Sequence, residues 1–176
     1  MGKVTEITGT SLGLANFHFE SKDRLFDAVL QHLAAQQRAR WQSRDQGPAL
    51  SSRALLMAIV ESRFPASICA HKKLAVWFAF YGDASARATC RRAVGNIDDE
   101  RLEATVAVFS EMIAEAGYTL LDPVEAVLTV EAMHDGLWLN MLLHPVGYRR
   151  TICRTRALNV IAALFPKHFD SPQALG

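Results

Sequence analysis

The segment Ser11-Leu-Gly-Leu-Ala-Asn-Phe-His-Phe-Glu-Ser-Lys-Asp-Arg-Leu25 decides how this 176-residue chain is read. Ser11 is placed to cap a short helix, because a serine hydroxyl accepts from backbone N–H groups two or three residues on. The pattern predicts that helix over 12–18. Ser21 is placed to cap a second, longer helix, with Asp23 in its first turn, where the helix dipole favours negative charge. Two helices joined by so short a link, with aromatic residues at the bend, have the form of the end of a helix-turn-helix.

Downstream of this segment the apolar spacing is helical almost throughout, so the expected fold class is all-α. Leu25, Phe26, Val29, Leu30 and Leu33 keep helical spacing from Ser21 to about Arg44, and Gly47-Pro48 is the stop. The next helix is expected over 50–68, with Leu55, Leu56, Ile59, Val60 and Phe64 inward and Pro65 bending or ending it. A helix over 71–81 precedes a break at Gly82-Asp83. The flanks favour helix there, although Leu74 to Tyr81 could also be read as a strand. A short basic helix is expected over 85–92, and a separate one from Asn96 or Asp98 to Gly117. Asp122-Pro123 is a strong helix start, a cap followed by proline at the first helical position. That helix should reach Leu143 before Pro145, and a last one should cover 147–165.

Composition bounds the function classes. Half of the residues are hydrophobic, enough for one core. The formal net charge is +1, so no bulk field draws the chain to nucleic acid. The longest apolar run, Leu74 to Tyr81, falls well short of the roughly 20 residues a membrane helix needs. No continuous apolar stretch at the N-terminus reads as a secretory signal. Cys69, Cys90 and Cys153 are odd in number and widely spaced, which reads as free thiols in a reducing cytoplasm. These features imply a cytoplasmic protein with no membrane partner.

Gly13, Asn16, His18-Phe19 and Ser21-Lys-Asp23 resemble the recognition helix and following helix start of TetR-type regulators. Only residues 1–10 precede Ser11, and Val4 to Thr10 resembles the end of the preceding helix and its turn. The resemblance therefore implies an incomplete helix-turn-helix over residues 1–30 and a helical ligand-binding and dimerisation domain over 31–170. Glu131-Ala-Met-His-Asp-Gly-Leu-Trp-Leu139, Trp77-Phe-Ala-Phe-Tyr81, and Asn96 with Arg101-Leu102 are similar to segments of the choline-sensing, BetI-type branch. That likeness implies a homodimer, operator DNA as partner, and a small-molecule effector such as choline. By the family pattern, Phe17, His18 and Lys22 would contact the DNA backbone. Ser11, Leu12 and Leu14 would face base edges, where leucines can read only methyl groups.

At about 100° per residue, the helix from Val124 to Leu143 has two apolar faces. Ala126, Val130, Met133, Leu137 and Met141 form one, without evident cover in the chain and so expected to meet a second subunit. Val124, Val127, Leu128, Trp138 and Leu142 form the other, with Glu131 and Asp135 set into it. Carboxylates there cost stability unless paired, hydrogen-bonded or solvated. Beside Trp138 they suit an organic cation, since a ring face adds roughly 0.5–2 kcal/mol, and Trp77 and Tyr81 could supply further walls. Equally, the two carboxylates could pair with arginines of a neighbouring helix, and the aromatic residues could simply be core. Arg149, Arg150, Arg154 and Arg156 read as a solvated or interfacial rim.

Enzymatic readings are weaker. Glu131-x-x-His134 matches one half of a di-iron motif, but no second copy exists and the other histidines are scattered. Neither a Gly-x-Ser-x-Gly elbow nor a Gly-rich phosphate loop occurs. The sequence thus reads as a non-enzymatic regulator without metal or cofactor, with a dimeric helical small-molecule-binding module lacking DNA activity as the alternative.

Overall fold

The computed structural model describes residue 9 and residues 11–42, 51–82 and 86–169, and among these residues lie seven α-helices and one short 3-10 turn. The helices are α1 (Leu12–Phe19), α2 (Lys22–Gln42), α3 (Ser52–Ser62), α4 (His71–Gly82), α5 (Ala86–Ala116), α6 (Pro123–Leu143) and α7 (Arg150–Leu164). Pro166–His168 forms the 3-10 turn. No strand occurs among the described residues, so the all-α reading holds and Leu74 to Tyr81 is helical. None of the described helices is long and apolar enough to cross a membrane.

The expected caps are in place. Ser11 Oγ accepts from the Leu14 N–H at 3.1 Å, and Ser21 Oγ from the Arg24 N–H at 3.2 Å. Asp122 Oδ1 accepts from the Glu125 N–H at 2.9 Å, with Pro123 in the first turn. Gly117 closes α5 at φ 63, a left-handed conformation that favours glycine. The Tyr118 N–H then bonds to the Ile113 carbonyl at 3.1 Å, tying off the helix end.

Three boundaries differ from the sequence expectation. The two helices expected over 85–92 and 96–117 are one helix of 31 residues. Gly95 between them costs a helix only about 1 kcal/mol, and Asp98 is engaged by Arg101 within the helix rather than capping it. Helix α3 ends at Ser62, earlier than expected, because Pro65 disfavours helical backbone at Phe64. Helix α7 begins at Arg150, because residues 145–148 form a turn in which the Tyr148 N–H bonds to the His144 carbonyl. The expected stop at Gly47-Pro48, and Arg44 before it, lie outside the described residues.

Two hydrophobic clusters organise the bundle. The larger joins α3, α5, α6 and α7 around Leu56, Val60, Phe109, Met112, Val127 and Ile161. Phe109 meets Phe165 edge-on at 4.9 Å, a favoured aromatic geometry. The smaller joins α2 to α4 through Leu30, Leu33, Ala34, Trp77 and Phe80. Helix α5 packs against α2, α3, α4 and α6 and so underlies both clusters.

This packing corrects the expected subunit face. Ala126, Val130, Leu137 and Met141 are buried within the chain itself, with Met133 packed against them, because α6 lies between α4, α5 and α7. The large apolar side chains that α6 leaves exposed are Val124, Leu128, Leu139 and Leu143. The arginine rim is also partly internal. Arg150 donates to the Phe64 carbonyl at 3.0 Å, and Arg154 pairs with Glu61 at 2.5 Å. Cys69 and Cys153 are free thiols, and the Cys90 side chain lies outside the description.

Candidate functional site

A polar cavity lies at the seam between the two hydrophobic clusters, and four elements supply its walls. From α6 come Glu131, Asp135 and Trp138, spaced by four and three residues and so on one face. From α5 come Asp98 and Arg101, and from α4 come Trp77 and Tyr81. Arg63, the residue that caps the C-terminal end of α3, completes the lining. The enclosed volume is about 70 Å³.

Glu131 is the electrostatic centre. Its Oε2 lies 2.5 Å from Arg101 Nη1 and 3.6 Å from Arg63 Nη2. Arg101 also reaches Asp98 at 3.1 Å, and Arg63 reaches Asp135 at 3.5 Å. Burial alone would raise the Glu131 carboxyl pKa, but the Arg63 and Arg101 guanidiniums outweigh it and hold the group below the usual carboxylate range. Burial likewise works against the Arg101 cation, and Glu131 and Asp98 overcome it. Asp135 goes the other way. Burial raises its pKa, with Arg63 only partly opposing and Glu131 adding to the rise. Three carboxylates against two guanidiniums leave the ionised cavity with one surplus negative charge.

Trp138 holds Arg63 twice. Its indole Nε1–H donates to the Arg63 backbone carbonyl at 3.1 Å, and the Arg63 guanidinium carbon lies 4.6 Å from its ring centroid. The Cys69 thiol donates to the same carbonyl at 3.3 Å. On α4, Trp77 and Tyr81 lie with ring centroids 6.2 Å apart.

One turn from Glu131, His134 is fully buried beside Phe64, with ring centroids 5.7 Å apart. Among the described residues neither of its ring nitrogens has a hydrogen-bond partner. Burial, and then the nearby Arg63 charge, push its pKa down to about 3 against the pull of Glu131, so the ring is neutral.

All five residues expected to bind ligand, Trp77, Tyr81, Glu131, Asp135 and Trp138, line this one cavity. Both carboxylates pair with arginines, the alternative that the sequence left open. Sequence reasoning passed over Arg63, the cation that fills the face of Trp138. Its one signal was a basic residue at a helix C-terminus just ahead of Phe64-Pro65, where the helix dipole favours positive charge. Asp98 was read only as a helix start, and Arg101 only as part of a family segment.

At the N-terminal end, α1 and α2 are joined by Glu20 and Ser21, and Glu20 takes a left-handed φ of 56. Leu14, Phe17 and His18 share one exposed face of α1, and Phe17 is 80% exposed. The Ser11 hydroxyl is engaged as the α1 cap. The Leu12 and Lys22 side chains lie outside the described residues. A groove of about 270 Å³ runs in the angle between α1 and α2, lined by His18, Phe19, Glu20, Arg24 and Asp27 among others.

A short helix and a long connecting helix, leading into an all-α bundle with a polar cavity at its seam, form the architecture of a TetR-type transcriptional regulator. Within that class the chain belongs to the BetI-type transcriptional repressor family, whose C-terminal region matches residues 52–169. It is 26% identical over 140 residues to the HTH-type transcriptional regulator BetI of Burkholderia mallei, covering 79% of this chain and 69% of that protein. Identity to the BetI regulator of Pseudomonas paraeruginosa is 29% over 140 residues, covering 77% and 67%. Among solved structures, a candidate transcriptional regulator from Pseudomonas aeruginosa PAO1 is similar, with a TM-score of 0.69 and 25% identity. That match covers 93% of this chain and 79% of the other. A candidate TetR-family regulator from Rhodococcus sp. shares the fold, with a TM-score of 0.66 at 18% identity over 93% and 85% of the two chains.

Proposed function

We propose that this regulator is a repressor whose cavity takes a small organic cation, of which choline is the first to test. The observation that carries the reading is the cavity's surplus carboxylate set beside Trp138, Trp77 and Tyr81. Carboxylates attract a cation at range, and aromatic faces hold it where water is excluded.

The cavity also sits where binding can be felt at a distance. At about 70 Å³ it is far smaller than the roughly 300–1,000 Å³ of usual ligand pockets, so a ligand must part its walls. One wall is α4, whose Trp77 and Phe80 pack with Leu30, Leu33 and Ala34 of α2. Phe80 meets Phe26 of α2 edge-on at 5.3 Å, and the Lys73 ammonium donates to Gln36. Displacing α4 therefore tilts α2, and α1 with it. The ligand shifts the equilibrium only by its difference in affinity for the two arrangements.

In this reading residues 1–30 contribute to a helix-turn-helix, with Ser11, Leu12, Leu14, Phe17, His18 and Lys22 toward operator DNA. Residues 31–170 sense the effector and dimerise. Val124, Leu128, Leu139 and Leu143 of α6, with Val160 of α7, supply an exposed apolar surface for a second copy. The deciding measurement is calorimetric titration of the chain with choline, paired with thermal melting. Heat and a raised melting temperature are expected by mass action on the folded state. Neither effect at millimolar ligand would sink the cation reading and leave the carboxylates as a structural ion-pair network.

A further inference from the structure

We propose that Arg63 is a built-in competitor for the effector, its guanidinium holding the place on Trp138 that the ligand's cationic group must take. The inference rests on the reading of the cavity as a cation site and adds what stands in the ligand's way.

Geometry makes Arg63 the removable cation. It lies 4.6 Å from the centroid of the Trp138 ring, within the roughly 6 Å over which a ring face attracts a cation. Its contacts to Glu131 and Asp135 are long, at 3.6 and 3.5 Å, whereas Arg101 grips Glu131 at 2.5 Å. If the Arg63 head leaves, Glu131 keeps its close partner and no buried carboxylate is stranded. The backbone at this position is also held independently of that head. Arg63 is anchored through its backbone carbonyl, which accepts from the Trp138 indole and the Cys69 thiol.

The exit is also visible. The Arg63 side chain is 7% exposed, but Asp135 beside it is 53% exposed. A guanidinium swinging outward can follow Asp135 into solvent without losing its ion pair. Withdrawal frees both volume and ring face in a cavity that, at about 70 Å³, is small for a ligand pocket. Ligand affinity is then lowered by the fraction of time Arg63 is withdrawn, and a fraction of about one in ten costs about tenfold.

Arg63→Ala and Arg63→Gln, the second in case the first folds poorly, are to be titrated beside the parent chain. The probes are tetramethylammonium and neopentyl alcohol, an uncharged molecule of similar shape with one added hydroxyl, each read by calorimetry. The expected result is about tenfold tighter tetramethylammonium binding by the variants than by the parent, with the neutral probe gaining as well. Binding by the parent with no gain in either variant would overturn the competitor role and leave the cation site standing. A gain confined to the charged probe would also overturn it, since removing one positive charge would then be the whole effect. Absence of binding by parent and variants alike would remove the cation site and the competitor together.

Discussion

Trp138 and Arg63 are joined at two levels: the indole N–H donates to the Arg63 carbonyl at 3.1 Å, and the guanidinium of the same arginine lies 4.6 Å from the ring centroid. The backbone bond pins the end of α3 to the C-terminal third of α6, while the side-chain contact is one a ligand could replace. The two can be separated by mutation. Trp138→Phe keeps an aromatic face but deletes the donor, and should cost about 1 kcal/mol in urea unfolding. Trp138→Ala also opens a cavity in the core, and should cost about 3–5 kcal/mol. Equal losses in the two variants would show that the indole N–H carries the whole contribution.

Acid should destabilise the chain through His134. The ring titrates at its ordinary value of 6.5 when unfolded but near 3 when folded, so the unfolded state binds the proton first. Its contribution to stability is full above pH 6.5 and falls as pH drops toward 3, by about 1.4 kcal/mol per unit within that window. The carboxyl of Glu131 adds a further loss only below its ordinary value of 4.5, since its folded pKa is the lower one. His134→Leu removes the first effect and two unpartnered buried nitrogens with it. Its stability should change little between pH 6.5 and 5, as read by chemical unfolding at each pH. An equally steep decline in that variant would place the acid sensitivity elsewhere.

The apolar surface on α6 predicts a dimer with a particular mutational signature. Leu128→Glu and Leu139→Glu place charge on exposed positions, and should yield folded monomers by light scattering. Leu137→Glu would instead place a charge in the chain's own core, and should prevent folding. A parent chain that is monomeric at micromolar concentration would defeat the proposal.

Fold class was legible because helical periodicity and caps are local signals, and Ser11, Ser21 and Asp122 all cap as read. The continuity of α5 was not, since Asn96 and Asp98 look like caps until a partner such as Arg101 is known. The same limit hid the cavity's real contents. The carboxylates, the tryptophans and Tyr81 share helix faces that spacing reveals. Arg63 reaches Glu131 across 68 positions of sequence, and only packing can show that. The subunit face was misassigned for a related reason. Periodicity gives the angle between two faces of α6 but not which neighbours fill them.

Passage of the signal from cavity to α1 should run through the edge-on contact between Phe26 and Phe80. Both helices carry further packing around it, Leu30 and Leu33 on α2 and Trp77 on α4, so Phe26→Ala should leave the fold intact. Phe26 is only half-buried, and its loss should cost less than the about 3–5 kcal/mol of a fully buried phenylalanine. Choline should bind the variant at least as tightly as the parent, because Phe26 does not line the cavity and its loss loosens the α4 wall that the ligand must part. Transmission should differ. In the parent, ligand should change amide exchange in α1 and α2 as well as in α4 and α6, since exchange reports local opening. In Phe26→Ala the change should stop at α4. A ligand-dependent change in α1 and α2 as large in the variant as in the parent would show that coupling runs by another route, with α5, which packs against both helices, the next to examine.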